Sequence, residues 1–141
     1  MIPHKTINKE QLNDFGKGTL SEHLDMKVVE IGPDHLSMSM KVHSITHQPL
    51  GLLHGGAVAA LAENVASLAG YLVVGEHKAC VGLSLHCNHL KSVKSGLVTG
   101  TARPIHLGNR THVWEVEVKD EKDRLINVSR MTLAVVDKSN D

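Results

Sequence analysis

The run GLLHGGAVAALAENVASLAG, residues 51–70, restricts the possible folds more than any other part of the chain. Its Ala, Val and Leu residues fall on nearly every face of a helix instead of along one stripe, and such a helix must be enclosed by other elements. Taken from residue 55 to residue 74, it would be roughly 30 Å long at about 1.5 Å per residue. Two features are out of keeping with a plain core helix. Glu63 sits in its middle, and a carboxylate carried from water into apolar surroundings costs several kcal/mol unless it is paired, hydrogen-bonded or neutralised. His54, Gly55 and Gly56 stand at its mouth, where the first-turn amides lack intrahelical acceptors and point outward with the positive end of the helix dipole. Glycine there lets a ligand approach the backbone closely, as an oxyanion hole requires. On its own the tripeptide reads as a tight entry into the helix; with Gln48 upstream and Glu63 downstream it reads as a site.

The rest of the chain supplies the enclosure. Asn8 with Gln11 and Thr19 with Glu22 have capping-box spacing, which predicts two short helices within residues 1–24. MKVVEI and then LSMSMKV, the latter alternating with period two, predict a hairpin through the turn GPDH. HSITHQPLGLL has no periodicity and reads as a loop feeding the long helix. Four strand-like runs follow, over residues 79–90, 97–106, 110–119 and 125–136, and predict an antiparallel meander. The fold class expected is α+β: one domain over residues 1–141, a curved antiparallel sheet wrapped around one long central helix, with 137–141 a flexible tail. Phe15, Tyr71 and Trp114 are the sole aromatics, so small aliphatics must fill the core and association with further copies is favoured. Cys80 and Cys87 differ by an odd number of positions in one expected strand, which sends them to opposite faces as reduced thiols.

Several classes are disfavoured. Fifteen Lys and Arg balance fifteen Asp and Glu without any block of like charge, which argues against a nucleic-acid partner. The first ten residues contain no apolar signal region, and Glu63 and Asn64 interrupt the longest apolar stretch, so a cytoplasmic protein with no membrane partner is expected. Eleven histidines invite a metal reading, but no HExxH or paired CxxC is present and no metal is expected. Nor is there a GxSxG elbow, a P-loop or a GxGxxG fingerprint, so no cofactor is expected.

Glu63 lies eight residues past Gly55, about 12 Å along the helix axis, too far to reach its own helix mouth. Two chains with antiparallel helices about a two-fold axis would place each glutamate opposite the other chain's glycines. A structural charge at a dimer seam is the alternative. Ser67, one turn beyond Glu63 on the same face, could orient the carboxylate or an attacking water, or simply bond back to its own helix.

The element order, with QPLGLLHGGAVAALAENVASLAG and the later NHLKS and HLGNR, resembles the hot-dog fold thioesterases over nearly the whole chain. The branch is that of the 4-hydroxybenzoyl-CoA and phenylacetyl-CoA thioesterases, and within it the small bacterial hydrolases of aromatic acyl-CoA, of the dihydroxynaphthoyl-CoA and enterobactin-proofreading kinds. The resemblance implies hydrolysis of an aromatic or medium-chain acyl-CoA by a homodimer that assembles into a homotetramer. It makes Glu63 the nucleophile or general base, Gly55 the oxyanion donor, Gln48 a partner of the carbonyl or carboxylate, and His54 a group that positions the thioester or assists the leaving thiolate. It places Gly82, His89, Leu90, Lys91 and Ser92, and the turn His106, Leu107, Gly108, Asn109, Arg110 and Thr111, at positions that contact CoA. By strand parity His89 shares a face with Val81, Leu83, Leu85 and Cys87, so a satisfied inward histidine is the rival reading. Three other functions compete: action on an acyl or aryl carrier protein, a hot-dog hydratase, and a non-catalytic acyl-CoA binding module. The helix lacks the close aspartate and histidine of the hydratases.

Overall fold

The computed structural model describes residues 6–138; residues 1–5 and 139–141, with most of the expected tail, lie outside the described residues. Helix α1 (Lys9–Phe15) opens with the predicted capping box, Asn8 Oδ1 accepting the Gln11 N–H and Gln11 Oε1 accepting the Asn8 N–H. Helix α2 (Leu20–His23) starts where expected but without the reciprocal pair. Thr19 accepts from Ser21 N–H, and the Glu22 carboxylate turns to the Gly18 N–H at 2.7 Å. Strands β1 (Lys27–Ile31) and β2 (Leu36–Val42) form the predicted hairpin.

The long helix, α3 (Gly55–Val73), is followed by β3 (Lys78–His89), β4 (Gly96–Leu107), β5 (Thr111–Asp120) and β6 (Leu125–Asp137). All six strands join one antiparallel sheet in the order β1-β2-β4-β5-β6-β3. This corrects the simple meander: β4, β5 and β6 do follow one another, but β3 pairs with β6 at the sheet edge and not with β4. Helix α3 lies across β2 to β6, so the chain leaving it emerges at the far side of the sheet from β2. Strand β6 continues through Asp137, paired with Lys78, and the Lys138 N–H bonds His77 O at 2.9 Å, so the ordered chain runs further than the expected tail allows.

Val58, Leu61, Ala62, Val65, Ala66, Ala69 and Leu72 turn one face of α3 onto the sheet, where Val98, Ala102, Trp114, Val116, Val118, Met131 and Leu133 are buried. The opposite face is only half covered, and Glu63 on it is exposed. The helix is long and apolar enough to cross a bilayer by composition, with mean hydropathy 1.4, despite Glu63 and Asn64; here the sheet takes its apolar face instead. The carboxylate therefore meets solvent in a single chain, and the expected desolvation is absent there.

A bulge between Gly82 and Ser84 corrects the parity reading of β3. One extra residue reverses the alternation. Val81 and Leu83 are consequently exposed, while Cys80 and Leu85 pack against the core. Cys87 Sγ lies 3.2 Å from the hydroxyl of the buried Ser129, so both thiols belong to the inner side.

Candidate active site

The loop before α3 is irregular but firmly tied. The Leu53 N–H bonds Val93 O, the His54 N–H bonds Thr46 O, and His47 Nε2 meets Lys94 O at 2.8 Å. At its end His54 caps the helix: its Nδ1 accepts the Gly56 N–H at 2.7 Å, and its carbonyl accepts from Ala57 and Val58. An accepting Nδ1 leaves the ring proton on Nε2 of the neutral imidazole. The first-turn amides are thus mostly consumed, contrary to the expectation of an open row. Gly55 is the exception, since among the described residues no acceptor meets its N–H.

Gln48 lines the same cleft as Gly55. Its side-chain oxygen accepts the Leu50 N–H, which leaves the Nε2 donor without an acceptor among the described residues. Gln48, Gly55 and Val58 line a cleft of about 360 Å³ with His89, Lys91 and Ser92 from the end of β3 and the loop after it. Leu90 is on the same wall, with its N–H bonded to Ile126 O. Close approach favours glycine at 55: a Cβ there would lie 2.9 Å from His89 Nε2, so the imidazole would have to shift. Six of the residues singled out in the sequence therefore meet in one cleft.

Glu63 is elsewhere. It lies against β3 at Gly82, where an added Cβ would be 2.8 Å from its Oε1. Among the described residues no cation or hydrogen-bond donor is paired with it. Ser67 is half-buried on the same helical face, without a hydrogen bond to Glu63. Asn64 donates to Met26 Sδ at 3.1 Å, a packing role. Asn64 and Ser67 open onto a second, more apolar cleft of about 590 Å³, lined also by Leu12, Phe15, Leu68 and Tyr71. Phe15 and Tyr71 stack there with centroids 5.3 Å apart. The turn from His106 to Thr111 is remote from His89: Thr111 and Val81 both register on Ala134, whereas His89 registers on Asn127, a separation of roughly 25 Å at about 3.3 Å per residue. The turn caps the other end of the sheet.

Two polar residues on β6 escaped the reading of the sequence. Asn127 and Ser129 alternate with Met131 and Leu133 on the core face and are buried. That period-two register was the available signal. Asn127 Nδ2 meets His89 Nδ1 at 3.2 Å. Near the other end of β3, Cys80 Sγ lies 3.8 Å from Nδ1 of the buried His112. Burial, with repulsion from His106, holds His112 below the ordinary imidazole range, while a bond to the Gly108 backbone raises it in part. No group of three His, Cys, Asp or Glu side chains among the described residues is placed to hold a metal.

Comparison with known proteins bears on this arrangement. The family described as the thioesterase superfamily matches residues 50–127. The 1,4-dihydroxy-2-naphthoyl-CoA hydrolase of Escherichia coli is 45% identical over 96% of this chain and 100% of its own length. The proofreading thioesterase EntH of Cronobacter turicensis is 42% identical over 96% of this chain and 99% of its own. The crystal structure of a thioesterase from Haemophilus influenzae superposes with a TM-score of 0.96 at 40% identity, covering 100% of both chains.

Proposed function

The chain belongs to the thioesterase superfamily, with its hot-dog fold, and is a thioester hydrolase; from that premise we propose that it hydrolyses the CoA thioester of an aromatic or medium-sized acid at a site shared by two protomers. The observation that carries the proposal is the unused Gly55 N–H at the mouth of α3, with the unpartnered Glu63 about 12 Å further along the same helix. In a two-fold pair each Glu63 faces the partner's Gly55, and the scissile carbonyl sits between them. The exposed Val81 and Leu83 on the unpaired edge of β3 support that association, since an open apolar strand edge invites another strand. Antiparallel pairing of two β3 edges would also carry the turn at His106 to Thr111 toward the partner's His89 to Ser92, joining the two groups assigned to CoA.

The chemistry then follows from atoms already described. The Gly55 N–H and the Gln48 Nε2 donate to the carbonyl oxygen as negative charge develops on it. Glu63 attacks the carbonyl carbon to form a mixed anhydride, or removes a proton from an attacking water; the thiolate leaves in either case. The exposed His54 Nε2–H is available to that thiolate. Ser67 is placed to orient Glu63 or the water. The acyl group occupies the apolar cleft beside Ser67, and the stacked Phe15 and Tyr71 suit a flat ring. Leu68 joins Tyr71 in this cleft, whereas Val58 is in the Gln48 cleft, Leu61 is fully buried under the helix, and Leu50 is 82% exposed.

A panel of benzoyl, phenylacetyl, naphthoyl and straight-chain acyl-CoA compared by kcat/KM tests the proposal, and the aryl thioesters should lead. Running the leading acyl group on CoA and on a carrier protein separates the two substrate classes. Glu63→Ala should lower kcat by at least about a hundredfold while CoA binding and assembly persist. A variant that dissociates yet hydrolyses at the original rate would make Glu63 a structural charge.

A further inference from the structure

Behind His89 runs a buried polar chain to which no chemistry has been assigned. Ser129 Oγ donates to Asn127 Oδ1 at 2.6 Å, so the amide oxygen of Asn127 is taken and its Nδ2 faces His89 Nδ1 at 3.2 Å. An amide nitrogen can only donate, so Nδ1 accepts and the proton of the neutral ring sits on Nε2. Cys87 Sγ, 3.2 Å from Ser129 Oγ, closes the far end; with the hydroxyl proton directed at Asn127, the thiol donates to Ser129. Asn127 is fully buried and Ser129 is 2% exposed, in register with Met131 and Leu133. Apolar residues would fill those positions at no desolvation cost, whereas a buried polar chain is tolerable only when each member is satisfied. Here each is, and the chain ends on the Nε2 that lies against Gly55.

We propose that Asn127 is a positioning residue that holds His89 as the Nε2–H tautomer turned toward Gly55, so that His89 donates to the carbonyl oxygen received by the Gly55 N–H. This rests on the Gly55 cleft being the half-site that takes the thioester. Because an oxyanion accepts a hydrogen bond more strongly than a carbonyl, the contribution of His89 appears in turnover more than in binding. Asn127→Asp is the informative change: it keeps the shape and the bond from Ser129, but its carboxylate accepts from His89 and draws the proton to Nδ1.

The imidazole nitrogens of the intact protein, labelled with nitrogen-15 and observed at about pH 8 so that neutral rings dominate, report the tautomer directly. His89→Gln identifies the resonances by their loss. The wild type should show an unprotonated Nδ1 and a protonated Nε2 at His89, and Asn127→Asp should reverse them. Turnover of benzoyl-CoA by Asn127→Asp should fall about tenfold in kcat with KM little changed. An Nδ1–H tautomer in the wild type would overturn the proposal, as would a folded Asn127→Asp variant with unaltered kcat. If that variant fails to fold, the wild-type spectrum still decides. Should the wild type hydrolyse none of the acyl-CoA panel, the proposed function falls, while the tautomer is read independently.

Discussion

At Gly82 an added Cβ would stand 2.8 Å from Glu63 Oε1 and 2.8 Å from Met131 Cε, so one methyl group crowds both the carboxylate and the end of a core side chain. The exposed carboxylate is the easier to move. Gly82→Ala should therefore lower kcat by about tenfold or more, with a smaller change in KM and in thermal stability; an unchanged kcat would mean that the position of Glu63 against β3 does not matter. His112 offers a second test at this scale. Burial, ahead of repulsion from His106, lowers its folded pKa from 6.5, so the folded state resists a proton that the unfolded chain accepts. Stability from this residue is complete above about pH 6.5 and is lost as pH falls below it, and His112→Gln should flatten that fall in urea midpoints taken between about pH 7.5 and about pH 5.5. A slope unaltered by the substitution would assign the effect to other groups. Glu63 and Gly55 were legible as single residues because a charge and a glycine pair contradict the apolar run around them. Asn127 and Ser129 were not, since within LINVSRM a polar side chain on the core face looks like one on the outer face until its register is known.

Among the elements, α3 is the one on which the others converge. Leu61 is fully buried under it, and Leu61→Ala should cost about 2–5 kcal/mol in denaturant unfolding, most of it from the cavity; a loss below about 1 kcal/mol would mean that the sheet collapses onto the gap. The bounds of α3 and of all six strands were legible to within one or two residues, because alternation and turn residues are local signals. Strand order was not. The place of β3 beside β6 depends on where a helix of 19 residues delivers the chain across the sheet, which no local pattern encodes. The bulge after Gly82 was equally silent: an extra residue leaves composition and alternation nearly unchanged, yet it moves Val81 and Leu83 to the surface and Cys80 to the core side.

For the molecule as a whole, the residues of the proposed site fall into two separated groups on a single chain. Gln48, Gly55 and His89 share one cleft, whereas Glu63 and Ser67 lie further along α3 with Gly82, and the turn at His106 to Thr111 caps the opposite end of the sheet. The sequence spacing already separates Glu63 from Gly55; that the groups assigned to CoA also divide between the two ends became visible only with the strand register. Subunit complementation tests the shared site most directly. Glu63→Ala and Gln48→Ala proteins, each inactive alone, would be unfolded together, refolded as a mixture and assayed on one aryl-CoA. If each site draws on two protomers, half of the randomly formed pairs regain one of their two sites, and the mixture should recover about a quarter of wild-type activity. A mixture as inactive as its components, with mixed pairs demonstrated by mass, would contradict the account.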